Sequence, residues 1–117
     1  MGANKIAGEI KQYIKRLKET VDPESIVLFG SFARGEATEW SDIDLLVIAD
    51  YTVSSDDRFD LLYHLHDGLV KNHDINVFGL TKKEFETAKP WSIFSDVKKE
   101  GIVLYQKTHT SEHSSRK

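Results

Sequence analysis

The feature that most constrains this chain is Gly30-Ser31 followed by Asp42-Ile43-Asp44. An apolar run, Ile26-Val27-Leu28-Phe29, leads into the Gly-Ser pair. After a polar connection, the two aspartates open a second apolar run, Leu45-Leu46-Val47-Ile48. Strand side chains alternate between faces, so Asp42 and Asp44 project from one face. Two carboxylates held that close repel each other unless a cation lies between them or they share a proton. A Gly-Ser turn leaving a strand offers backbone N–H groups and a hydroxyl to a phosphate. Phosphate donors beside paired carboxylates point to a site for a metal-bound nucleotide.

The remaining periodicity builds a small α/β domain around that stretch. Ile6, Ile10, Tyr13, Ile14, Leu17 and Val21 recur at steps of three and four, which predicts a helix over residues 4–20. Asp22-Pro23 ends it. Residues 25–29 form a first strand, and Phe32-Ala33-Arg34 a short helical turn closed by Gly35. Residues 42–49 form a second strand. Its tail is apolar on both faces, as suits a central strand covered on both sides. A helix capped by Ser54 or Ser55 runs to Val70, burying Phe59, Leu62, Leu65, Leu69 and Val70. Residues 74–78 are a third strand, with Ile75 and Val77 on one face and Asp74, Asn76 and Phe78 on the other. Thr81 and Glu84 make a capping box for a short helix to Ala88. A last helix from Trp91 or Ser92 to Glu100 buries Ile93, Phe94 and Val97, with Gly101 as C-cap, and residues 102–105 are a fourth strand. The expected domain is residues 1–106, a mixed sheet of about four strands flanked by helices. Residues 107–117, rich in Ser, Thr and His, are expected to be a disordered tail.

Composition narrows the function. A net charge of −3 disfavours a general nucleic-acid-binding protein, which would carry a basic surface. Lysines 5, 11, 15 and 18 and Arg16 on the first helix read as a solvated face or a weak basic patch beside an anionic ligand. Cysteine is absent, which excludes disulfides and thiolate metal sites. No apolar run approaches the roughly 18 residues of a membrane helix, and the N-terminus lacks a signal-peptide core. The expectation is a cytoplasmic protein with no membrane partner.

Metal-dependent nucleotidyl transfer needs a triphosphate cradle, carboxylates that hold cations on it, and a base or third carboxylate near the attacking group. Asp42 and Asp44 fit the second role, and Asp74 on the adjacent strand is the candidate for the third. Ser41 is either a turn hydroxyl or a hydrogen-bond support for the aspartates. Arg34 either reaches a phosphate or pairs with Glu36 or Glu39. Trp40 and Trp91 are core or interface residues, or stack on a base. His73 reads as a surface histidine rather than a ligand.

Gly30-Ser31 with Gly35, followed by Ser41-Asp42-Ile43-Asp44, resembles the motif of the polymerase-beta-like nucleotidyltransferases. The compact form "GSFARGEATEWSDIDLLV" is most similar to the minimal members of that superfamily, often the antitoxin half of a pair with a helical HEPN ribonuclease toxin. The resemblance implies Asp42 and Asp44 as catalytic metal ligands for Mg²⁺, two ions in all, and Asp74 as the third catalytic carboxylate, a metal ligand or the general base. It implies Gly30 and Ser31 on the phosphates, with Arg34 and Ser41 as further nucleotide-binding candidates. It also implies ATP as donor and AMP transfer to a hydroxyl, in the antitoxin branch a tyrosine of the HEPN-type partner. Two alternatives stand beside it: an antitoxin acting by binding alone, and a transferase for a small-molecule acceptor.

Overall fold

The computed structural model describes residues 2–108 apart from Asn72 and Trp91. The expectations for the tail beyond Thr108, for Trp91 and for the side chains of Ile6 and Ile93 lie outside the described residues. The element order is α1 (Gly2–Val21), β1 (Ser25–Phe29), α2 (Ser31–Arg34), β2 (Ile43–Ile48), α3 (Ser55–His64), β3 (Ile75–Leu80), α4 (Lys82–Glu86), α5 (Ile93–Glu100) and β4 (Ile102–Gln106).

The four strands form one mixed sheet in the order β3-β2-β1-β4. β1 pairs antiparallel with β2 and β4, whereas β2 pairs parallel with β3. The doubly apolar run therefore does sit at the centre, and each of its faces enters a different core. Leu45 and Val47 join Ile26, Ile75 and Val77 beneath Tyr13 and Leu17 of α1 and Leu62 of α3. Leu46 and Ile48 join Val27, Phe29 and Val97, with Phe78, Phe85 and Phe94 packed against them from β3, α4 and α5. Burying one such aliphatic side chain stabilises the fold by roughly 1.5–3 kcal/mol. The Tyr13 hydroxyl donates to the Leu62 carbonyl at 2.6 Å, tying α1 to α3 across the first core. Burial pushes that phenol's pKa above its usual value.

Local chemistry sets the boundaries. Ser54 caps α3 by accepting from Asp57 N, and Thr81 and Glu84 form the capping box of α4. Two expectations are corrected. α3 ends at His64 rather than Val70, and the chain continues through hydrogen-bonded turns to Gly68 at φ 78°. Phe59 is 42% exposed and stacks on Tyr63 instead of entering the core. The inward position one turn before Leu62 is taken by Arg58, which is buried. Gly101 follows α5 in extended backbone, so it ends that helix without a left-handed cap.

Candidate active site

The site is built where β1 ends beside the start of β2. Phe29 pairs with Asp44 in the antiparallel register, so Gly30 emerges directly against the Asp44 side chain. Gly30 has φ 75° and ψ −154°, a backbone conformation open essentially to glycine alone. A Cβ at this position would lie 2.1 Å from Asp44 Oδ2, so the turn and the carboxylate leave no room for a side chain between them. Gly35, at φ 73°, closes α2 at its other end and donates to the Phe32 carbonyl. Ser31 opens this single turn and is half-buried.

Asp42 and Asp44 lie on the face that also carries Leu46 and Ile48. Asp42 is exposed and Asp44 half-buried. A single amide bridges them: Asn76 Nδ2 donates to Asp44 Oδ1 at 3.0 Å and to Asp42 Oδ2 at 3.2 Å. Asn76 stands there because the parallel register places Asp44 opposite Asn76. The two carboxylates thus converge on one point. A pair of carboxylate oxygens, open to solvent and beside a turn that suits phosphate, fits Mg²⁺, which takes one or two carboxylates and completes its shell with phosphate oxygens and water.

The structure does not gather every candidate. Asp74 precedes β3, is exposed, and contributes its carbonyl to the Ile43 N–H at 2.9 Å. No group of three or more His, Cys, Asp or Glu side chains able to hold a metal occurs among the described residues. Asp74 therefore does not complete a three-carboxylate cluster in this geometry. The Ser41 hydroxyl turns into its own loop and accepts from Thr38 N at 2.8 Å, rather than supporting the aspartates. Arg34 pairs with Glu36 at 2.9 Å and with Glu100 at 2.8 Å, so Glu100 of α5 takes the place expected for Glu39. Those two carboxylates, Glu36 foremost, hold its guanidinium firmly in the charged form. Trp40 is 84% exposed and is no core residue.

Two residues gain importance. Asn76 is one; His73 is the other. His73 Nδ1 lies 2.6 Å from the Ser41 carbonyl, an acceptor only, so that nitrogen carries the hydrogen. The ring stands edge-on to Phe32, with centroids 5.2 Å apart. His73 thus ties the lead-in of β3 to the residue before Asp42 and to the residue after Ser31. A groove of about 1440 Å³ runs along α1 between Lys11, Lys15 and Lys18 and an apolar floor of Ile14, Leu28 and Leu104. Neither aspartate lines it.

Comparison with known proteins agrees with this geometry. The chain belongs to the nucleotidyltransferase domain family, whose model matches residues 10–104. It is 34% identical over 100 residues to the Methanocaldococcus jannaschii protein named "Putative protein adenylyltransferase MJ0604", over 82% of this chain and 94% of that protein. Its fold is similar to a chain of a crystal structure of a toxin–antitoxin with AMP-PNP, at TM-score 0.64 and 25% identity, covering 87% of this chain and 77% of that one. It is also similar to a chain in the complex of a tri-AMPylated Shewanella oneidensis HEPN toxin with its MNT antitoxin, at TM-score 0.58 and 25% identity, covering 92% of this chain and 77% of that one. The mixed four-stranded sheet is thus a nucleotidyltransferase fold, and the chain is a nucleotidyltransferase. No helix among the described residues is long and apolar enough to cross a membrane.

Proposed function

We propose that this chain is a Mg²⁺-dependent protein adenylyltransferase that moves AMP from ATP to a tyrosine hydroxyl on a HEPN-type toxin partner, and so acts as its antitoxin. The observation that carries the reading is the convergence of Asp42 and Asp44 beside the Gly30 turn. The protein adenylyltransferase name of the relative and the AMPylated toxin bound by the structural neighbour support it.

In this reading Gly30 and Ser31 receive the β- and γ-phosphates, and Asp42 and Asp44 hold the cation. A divalent cation bound there supplies positive charge to the phosphates and the departing pyrophosphate. The acceptor oxygen forms a bond to the α-phosphorus as the bond to the β-phosphate oxygen breaks. The hydroxyl proton leaves to solvent or to a carboxylate, for which Asp74, exposed at the lead-in to β3, is the candidate. Gly30 holds Asp44 against the phosphate turn. His73 holds the backbone that carries Asp42. Both act by position.

One observation favours a second reading: the converging cluster has two carboxylates and an amide, not three carboxylates. Such a site also suits an antitoxin that binds its partner without transfer. Incubation with ATP labelled at the α-phosphate, Mg²⁺ and the partner separates the two. Label on the partner tyrosine, lost in Asp42→Asn/Asp44→Asn, supports transfer. A bound but unlabelled partner, neutralised equally well by the double variant, gives contact inhibition instead.

A further inference from the structure

We propose that Asn76 makes cation binding at Asp42 and Asp44 conditional on the nucleotide, so that the metal enters with the phosphates and is not held in advance. The proposal rests on the assignment of the carboxylate pair as a metal–nucleotide site.

Ionised carboxylates only accept hydrogen bonds, so both contacts at 3.0 and 3.2 Å are donated by the Asn76 amide nitrogen. The carbonyl end of that amide is therefore turned away from the pair. Asn76 has little freedom to stand elsewhere. Its neighbours Ile75 and Val77 are buried in the core beneath α1, and the register sets it opposite Asp44. The adjacent strand thus presents a neutral donor at the place where a carboxylate would add a third negative charge. The effect is twofold. The pair attracts a cation with two charges only, and the oxygens facing one another are already engaged by N–H groups that a cation must displace. Mg²⁺ gives up hydration water reluctantly and is held where carboxylates and phosphates act together, and Mn²⁺ takes the same oxygen ligands. The nucleotide supplies the missing charge and oxygen donors, and each of the two then strengthens binding of the other by the same factor.

Electron paramagnetic resonance of free Mn²⁺ tests this without the partner or any turnover. With the wild-type chain, Mn²⁺ alone should bind weakly, and α,β-methylene-ATP should tighten its binding by about tenfold or more beyond the Mn²⁺ that the same nucleotide chelates in the absence of protein. In Asn76→Asp, Mn²⁺ alone should bind at least about tenfold tighter than to wild type, because a charge replaces a neutral donor. Its dependence on the nucleotide should shrink. The same variant should melt at a lower temperature in EDTA and recover on adding Mn²⁺, a response a merely structural role would not produce. Once chelation by the free nucleotide is subtracted, equal Mn²⁺ affinity of the wild-type chain with and without the nucleotide overturns the proposal whether or not the variant folds. Unchanged affinity for Mn²⁺ alone in a folded Asn76→Asp overturns it equally. Conditional Mn²⁺ binding without AMP transfer to any partner would leave this inference standing and remove the transferase reading. Absence of Mn²⁺ binding even with the nucleotide would remove both.

Discussion

Two charged clusters sit on this small sheet, and they are opposites. At Asp42 and Asp44, two negative groups meet a neutral amide and solvent. At Arg58, one cation meets partners from within the chain: the Val53 carbonyl at 3.1 Å, the Gly79 carbonyl at 3.3 Å and Glu84 Oε1 at 2.7 Å. Its guanidinium also lies over the Tyr51 ring, 4.9 Å from the centroid. Arg58 is buried, and Glu84 balances its charge within the chain. The aspartates are open, and their balance closes only with something from outside. A closed cluster joins α3, β3 and α4 and serves the fold. An open cluster beside a glycine turn keeps binding capacity in reserve.

The largest test of that contrast removes charge from the open cluster. Asp44→Asn should lower AMP transfer by about 10³ or more, in the range of losses seen when a site loses a group that stabilises transition-state charge. It should leave the melting temperature unchanged or raised, since it removes repulsion and no core contact. A melting curve and α-phosphate label incorporation, run on the same preparation, check both halves. A large loss of stability would mean that the carboxylate is structural, like Glu84, and the contrast would fail.

Next in size is the turn that leaves room for Asp44. Gly30→Ala places a methyl 2.1 Å from Asp44 Oδ2, at a φ of 75° that L side chains rarely adopt. The strained backbone alone costs on the order of 1–3 kcal/mol. Chemical denaturation should show that loss, and nucleotide binding should weaken with it because the displaced atom belongs to the site. Retained stability with retained binding would mean that the turn relaxes freely and does not set the position of the carboxylate.

How far the sequence reveals these clusters depends on which kind of contact builds them. The central position of β2 follows from Leu45 to Ile48 being apolar on both faces, and the shared face of Asp42 and Asp44 follows from strand alternation. Both depend on neighbours in sequence. The partner on β3 depends on parallel register, and no hairpin turn links β2 to β3 to set it. Asp74 and Asn76 share a face, so two registers separated by two residues present either one, and the chemistry of a carboxylate favours Asp74. The structure pairs Ile43 with Ile75 and thereby puts Asn76 beside Asp44. Arg58 is hidden for a related reason. A charged residue in a helix reads as exposed, and only the carbonyls of Val53 and Gly79 with Glu84, gathered by tertiary packing, make its burial tolerable. Phe59 is its mirror image, an apolar residue displaced outward by that packing.

The smallest expected effect tests the closed cluster through pH. Glu84 accepts from the Thr81 backbone N–H and pairs with Arg58, and these contacts, the Thr81 bond foremost, hold its carboxyl below the ordinary glutamate value. The ionised form is therefore favoured in the folded state. A depressed carboxyl contributes stability that is fully present above the unfolded value and is lost as pH falls through the folded one. Glu84→Gln should thus be less stable than wild type at neutral pH. Because the Glu84 side chain is 42% exposed, solvent screens the pair, and the difference should be only about 1 kcal/mol. The gap should hold down to about pH 4.5, the ordinary glutamate value, and then close as acid protonates Glu84 in the wild type. Glutamine keeps an acceptor for Arg58 and for Thr81, so the variant isolates charge from hydrogen bonding. Urea denaturation of both proteins between pH 7 and pH 3 measures the gap directly. A difference that persists unchanged at pH 3 would show that shape, not charge, closes the Arg58 cluster, and the two clusters would then differ in packing rather than in electrostatics.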